Sequence, residues 1–186
     1  MAHDWIDLQV RAHAEFGRRL EAVTDWNAPT PDTEWDVATL VKHVIAEQQW
    51  VPYLLKGMTI QDAALELRAI KSDDLPGEWE RYSQEATDAW AAAPMESTVM
   101  LSYDTVTTED YLKEQVSDVT IHTWDLARAV GADEKLDDAL VEAAWSIFEP
   151  QKETLAATGL FADPVLVDAN APLQARLLAI TGRDGR

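Results

Sequence analysis

The 186 residues contain no cysteine. Disulfides, thiolate metal ligands and a cysteine nucleophile are therefore excluded, and any thiol chemistry must take its sulfur from a cofactor or substrate. No apolar run reaches the roughly 18 residues that a membrane-spanning helix requires. Basic residues are scarce: 15 Lys and Arg stand against 34 Asp and Glu, for a formal net charge of −19. Nucleic-acid binding relies on Lys and Arg displacing phosphate counterions, so neither DNA nor RNA is an expected partner. The acidity is read as a solubilising surface. Glycine is sparse too, at 7 residues, and the chain holds neither a glycine-rich phosphate loop nor a G-x-S-x-G nucleophile turn. The opening stretch MAHDWIDLQVRAHAEFGRRLEAV carries early acids and lacks the basic start and apolar middle of a secretory signal. A cytoplasmic location is the expectation.

What the sequence has in quantity is helical periodicity. An apolar share of 47% over this length suits one domain, 1–186, with a sizeable core. Trp5, Leu8, Ala12, Phe16, Leu20 and Val23 alternate at spacings of three and four, which predicts a first helix over about 3–25. The proline-rich NAPTPDTEW carries the chain across one end of the molecule. A second helix starts near Asp36, a good N-cap, and buries Val37, Leu40, Val41, Val44, Gln48 and Val51 until Pro52 kinks or ends it.

Thr59 caps a short helix over 60–70, and another starts at Pro76 and packs Trp79, Tyr82, Ala86, Trp90 and Ala93. STVMLSYDTVTTED is β-branched but shows no partner, and reads as a loop or lone strand. Thr107 or Thr108 caps the helix that contains QVSDVTIHTWDLARAVG, and Gly131 ends it. A last helix covers about 136–149, before an irregular tail with a short closing helix in PLQARLLAITG. The expected fold is all-α: a four-helix bundle with short extra helices and an irregular C-terminal tail. The long link between the first two helices argues against a simple hairpin.

In the helix around His122, Leu112, Val116, Val119, Thr123, Leu126 and Val130 form the core stripe. Gln115, Asp118, His122 and Asp125 form a polar stripe alongside, facing the edge of a groove where bundles keep metal and ligand sites. His43 flanks the apolar stripe of the second helix in the same way. Two imidazoles and one carboxylate are the ligand type of open, catalytic zinc sites and some non-haem iron sites. The predicted ligands are thus His43, Asp118 and His122, with Glu47 placed to orient His43 and Asp125 to orient His122. Metal affinity should then fall as pH drops through the histidine range, near 6.5 for an ordinary side chain. His3 and His13 lack partners at ligand spacing and read as solvated. The tryptophans read as core and groove walls, with Trp50 and Trp124 close in sequence to the predicted ligands.

Three segments, TPDTEWDVATLVKHVIAEQQW, QVSDVTIHTWDLARAVG and GLFADPVLVDANAPLQARLLAITGRDG, together resemble the DinB-like helical bundle superfamily. The branch resembled is the mycothiol-dependent, maleylpyruvate isomerase-like group of metal-binding proteins, here as a small stand-alone member. The resemblance implies one divalent metal, usually zinc, with nickel or iron as alternatives, on His43, Asp118 and His122. The family's middle ligand is a glutamate where this chain has Asp118, and the isomerase has a further C-terminal domain, so maleylpyruvate isomerisation itself is not the expectation. The implied function is a metal- and mycothiol-dependent transferase or isomerase acting on a small molecule. The alternative is a bundle that binds a metal or small molecule without turnover. Catalytic residues are not identified, and related bundles suggest a homodimer.

Overall fold

The computed structural model describes residues 3–32, 34–155 and 161–185. These residues form seven α-helices and one small hairpin. In order they are α1 (Trp5–Leu20), α2 (Val37–Leu55), α3 (Ile60–Glu66), α4 (Leu75–Ala92), β1 (Thr98–Met100), β2 (Thr105–Thr107), α5 (Thr108–Val130), α6 (Asp138–Phe148) and α7 (Leu173–Ile180). The four long helices make the bundle: α1 packs on α4 and α5, and α2 packs on the same pair. That leaves α1 and α2 diagonal to each other, which is why their connection is long. No described helix is long and apolar enough to cross a membrane.

Local chemistry sets the helix ends. Asp36 accepts from the Thr39 amide at 2.8 Å and Thr107 from the Asp110 amide at 3.0 Å, each satisfying a donor that the first turn leaves orphaned. Gly131 closes α5 with φ +67°, a left-handed conformation that costs glycine little. Phe16, Leu40, Val44 and Leu112 are fully shielded at the centre of the bundle. Each such side chain contributes about 1.5–3 kcal/mol relative to an exposed one.

A second apolar cluster lies on the other side of α5, where Ile121 and Trp124 meet Leu136, Val141 and Phe148 from the α6 region and Leu177 and Leu178 from α7. α5 is therefore shared by two cores, and α7 brings the chain's last segment back beside it.

Four elements differ from expectation, the simplest being α3, which ends at Glu66 rather than at 70 as Leu67 turns to extended backbone. α1 stops at Leu20 because its final turn tightens, with Ala22 and Val23 amides donating three residues back to Arg19 and Leu20 at 3.1 Å. Val23 still packs on the core, so the apolar spacing outlasts the helix. α2 runs through Pro52 to Leu55. The ring removes only the donor that the Gln48 carbonyl would have used, one turn before the helix ends anyway. The β-branched segment is a hairpin whose partner strand lies within the segment itself, pairing Thr98 with Thr107 and Met100 with Thr105. Its turn has no glycine; Asp104 makes it, accepting from Leu101 through its carbonyl at 2.8 Å and from Thr105 through its side chain at 2.7 Å.

Candidate metal centre

The segment before α2 is pinned to that helix by backbone bonds from Val37 to Ala28 and from Ala38 to Trp26, at 3.0 and 2.9 Å. It sets Trp35 against His43, which projects from α2; the ring centroids are 4.8 Å apart. Across the groove, Asp118 and His122 stand one turn apart on α5. His122 Nε2 lies 3.4 Å from Asp118 Oδ1, and His43 Nε2 lies 3.8 Å from Asp118 Oδ2. One donor atom from each of the three residues can be chosen so that all lie within 4.8 Å of one another.

These separations are long for hydrogen bonds and suit donors arranged around an ion. With metal–ligand bonds of about 2.0–2.1 Å, tetrahedral donors stand about 3.3 Å apart. Asp118 Oδ2 is buried without a hydrogen-bond partner, an unsatisfied acceptor that a cation would satisfy. Two imidazole nitrogens and one carboxylate oxygen match a borderline divalent ion such as zinc, nickel or iron. The residues present fit the group that the ligand chemistry implies.

Behind His122 the structure builds a ladder. His122 Nδ1 meets Asp125 Oδ2 at 3.1 Å, which orients Nε2 toward Asp118 once Nδ1 carries the hydrogen. Asp125 is completely shielded and is gripped at both oxygens by Arg183, at 3.1 Å from Nε and 2.8 Å from Nη2. Arg183 follows α7, so the docking of the tail on the second core reaches the centre through one guanidinium. Trp35 stacks over His122 as well, with ring centroids 5.8 Å apart.

Charge explains the protonation. Burial works against a proton on His122, yet the Asp118 charge and the Asp118 and Asp125 carboxylates beside it push its pKa up to about 10. Burial likewise opposes charge on Asp118, and the two imidazoles overcome this and hold its carboxyl far below the usual range. A proton on His122 and a cation among the donors answer the same need, so one displaces the other. The pH at which His122 surrenders its proton without metal thus moves well above the expected 6.5.

Glu47 does not orient His43. No hydrogen bond joins them among the described residues, and the Glu47 carboxylate accepts from Gln115 Nε2 at 3.2 Å. Burial and the neighbouring Asp118 charge raise its pKa. His3 is partly exposed and meets Trp5 edge-on. His13 is not solvated: it is held between α1, α2 and α4, taking the Gln9 amide at Nδ1 (2.8 Å) and meeting Gln48 Oε1 through Nε2 (3.0 Å). Burial drives its pKa down to about 4, against the opposing pull of its hydrogen bonds. Gln48 in turn donates to Gln115 at 3.2 Å, so amides link His13 to the Glu47 beside the centre.

Trp35 and Arg183 carry roles that sequence reading did not assign. Trp35 is visible in the quoted TPDTEW, one residue before a helix cap, but nothing in the spacing says that it folds back over the imidazoles. Arg183 sits beyond any periodic segment and gives no signal.

A family model described as the mycothiol maleylpyruvate isomerase N-terminal domain matches residues 9–127, a span that contains His43, Asp118 and His122. Among solved structures, a crystal structure of a histidine-to-alanine mutant of the mycothiol-dependent maleylpyruvate isomerase matches with a TM-score of 0.61 and 16% identity. The match covers 85% of this chain and 69% of that one. At that identity the likeness is one of fold, and the fold is the all-α, DinB-like bundle. No curated protein matches the chain.

Proposed function

This chain belongs to the mycothiol maleylpyruvate isomerase N-terminal domain family, and from that premise we propose that it binds one divalent cation through His43, Asp118 and His122 and uses it in thiol-dependent transfer or isomerisation. The observation that carries the reading is the buried, partnerless Asp118 Oδ2 facing the His43 imidazole at 3.8 Å. We take zinc as the ion, one of the borderline divalent cations that two imidazoles and a carboxylate suit, and mycothiol as the thiol that the family implies. A divalent cation there supplies Lewis acidity, lowering the pKa of a thiol or water bound beside it.

The chain's own residues do the remaining work. Asp125 and Arg183 fix the His122 ring, and Trp35 covers both imidazoles and keeps water from that side. The chain has no cysteine, so the reacting sulfur arrives with the ligand.

The test begins with elemental analysis of protein purified without chelator, where one zinc per chain is expected. Incubation with mycothiol and a panel of electrophiles follows, read by mass spectrometry. A conjugate that disappears on chelation supports the transferase reading. Stoichiometric metal with no conjugate favours the alternative, a metal-binding bundle without turnover. Absence of metal overturns both.

A further inference from the structure

One turn along α2 and α5 from the three donors, the same helices open a second space. Glu47 follows His43 by four residues and Gln115 precedes Asp118 by three, and both line a cavity of about 270 Å³. Tyr111, Leu54 and Gln115 are buried at its floor, Trp50 and Ile60 are half-buried along it, and Tyr103 and Glu114 stand exposed at the rim.

Two carboxylates and three aromatic rings thus share one small space, and neither Lys nor Arg lines it. Each carboxylate has one side-chain donor, Gln115 Nε2 on Glu47 and the Tyr103 hydroxyl on Glu114, which leaves most of its acceptor capacity free. The Tyr111 hydroxyl makes no hydrogen bond among the described residues, although the side chain is only 3% exposed and lines the cavity. A hydroxyl without a protein partner on the cavity wall is free to meet a ligand there.

We propose that this cavity receives the cationic head group, a substituted ammonium, of the small molecule handled at the neighbouring metal centre. Aromatic faces and carboxylates with neither Lys nor Arg beside them on the cavity wall both attract an ammonium ion, and both disfavour an anion. A dicarboxylate such as maleylpyruvate is repelled here. The volume lies below the roughly 300–1,000 Å³ of drug-sized sites, so the group is small. The proposal depends on the metal reading for what lies next door; the charge preference of the cavity does not.

The experiment is a titration of the metal-free protein at constant pH, following the Trp50 indole N–H resonance by NMR. Assignment comes from Trp50→Phe. The probes are choline, its neutral isostere 3,3-dimethyl-1-butanol, and propionate. Choline is expected to shift the resonance saturably and to bind about tenfold more tightly than the isostere, as a partly desolvated cation over aromatic rings should. Propionate is expected to give no saturable shift. In Glu114→Gln, a change at an exposed position that leaves the fold intact, the choline-to-isostere ratio should fall at least about threefold. Equal binding of choline and its isostere, an unchanged ratio in Glu114→Gln, or no saturable shift with any probe overturns the proposal. Cobalt d–d absorption on metal-loaded protein is recorded separately: its failure overturns the metal reading, and choline selectivity is judged on its own data.

Discussion

His122 and His13 are both enclosed by helices of one bundle, yet their proton affinities are driven in opposite directions, to about 10 and about 4. Burial pushes both downward. The difference lies in the partners. His122 faces Asp118 and Asp125, whereas His13 meets neutral groups: the Gln9 and Gln48 amides, the Thr87 hydroxyl, the Ser83 backbone and the Trp79 ring. An imidazole among carboxylates holds a positive charge that a metal can replace, and one among amides stays neutral and serves packing. Burial alone therefore says little about what a histidine does; the charge of its neighbours decides.

The largest expected effect comes from removing one side of the comparison. His122→Ala should reduce zinc binding, followed by titration calorimetry, to below detection. A variant that keeps stoichiometric metal would show that the trio is not the ligand set. Arg183→Ala comes next, because it takes from the shielded Asp125 carboxylate one of its two charged partners and leaves it the His122 imidazole. A loss of about 3–5 kcal/mol in chemical denaturation is expected, with zinc affinity weakened about 10- to 100-fold. Unchanged affinity would mean that Asp125 holds His122 without help.

His13 tests the other side. Its folded pKa lies below its unfolded value of 6.5, so the unfolded chain binds the extra proton, and stability falls as pH drops from 6.5 toward 4. The loss amounts to about 3 kcal/mol. The pH profile of His13→Gln, measured by thermal unfolding, should be flatter across that window; parallel profiles would show that His13 is not the group responsible.

For His122 the sign reverses. Its raised folded pKa stabilises the metal-free fold fully below 6.5, and that contribution is lost as pH rises through about 10. Zinc must then displace one proton at neutral pH, so affinity should fall about tenfold for each pH unit lowered between 8 and 6, or about 1.4 kcal/mol per unit. Calorimetry in buffers of different ionisation heat would count the proton released, and a count of zero would contradict the carboxylate-held imidazolium.

Much of this was legible in the residues alone. Spacing of three and four marked the long helices, and Asp36, Thr59 and Gly131 marked their ends, because periodicity and capping act locally. Asp118 and His122 could be paired for the same reason, and Asp125 was placed as the group behind His122. Glu47 and His13 were misread because their partners, Gln115 and Gln48, lie across the bundle, and the relative rotation of two helices is set by packing. The hairpin was missed because Asp104 does the work usually advertised by glycine. Arg183 was hidden most fully: its target is 58 residues away in sequence, and only the apolar docking of α7 brings it there.

The indole of Trp35 rests 4.8 Å from one predicted ligand ring and 5.8 Å from the other. An open-shell ion seated among the donors would lie within contact-quenching range of that chromophore, while closed-shell zinc would leave its emission largely intact. Metal at that site would thus be reported, and its electronic class told apart, by an optical gauge built into the chain, and replacing that single indole should silence the gauge.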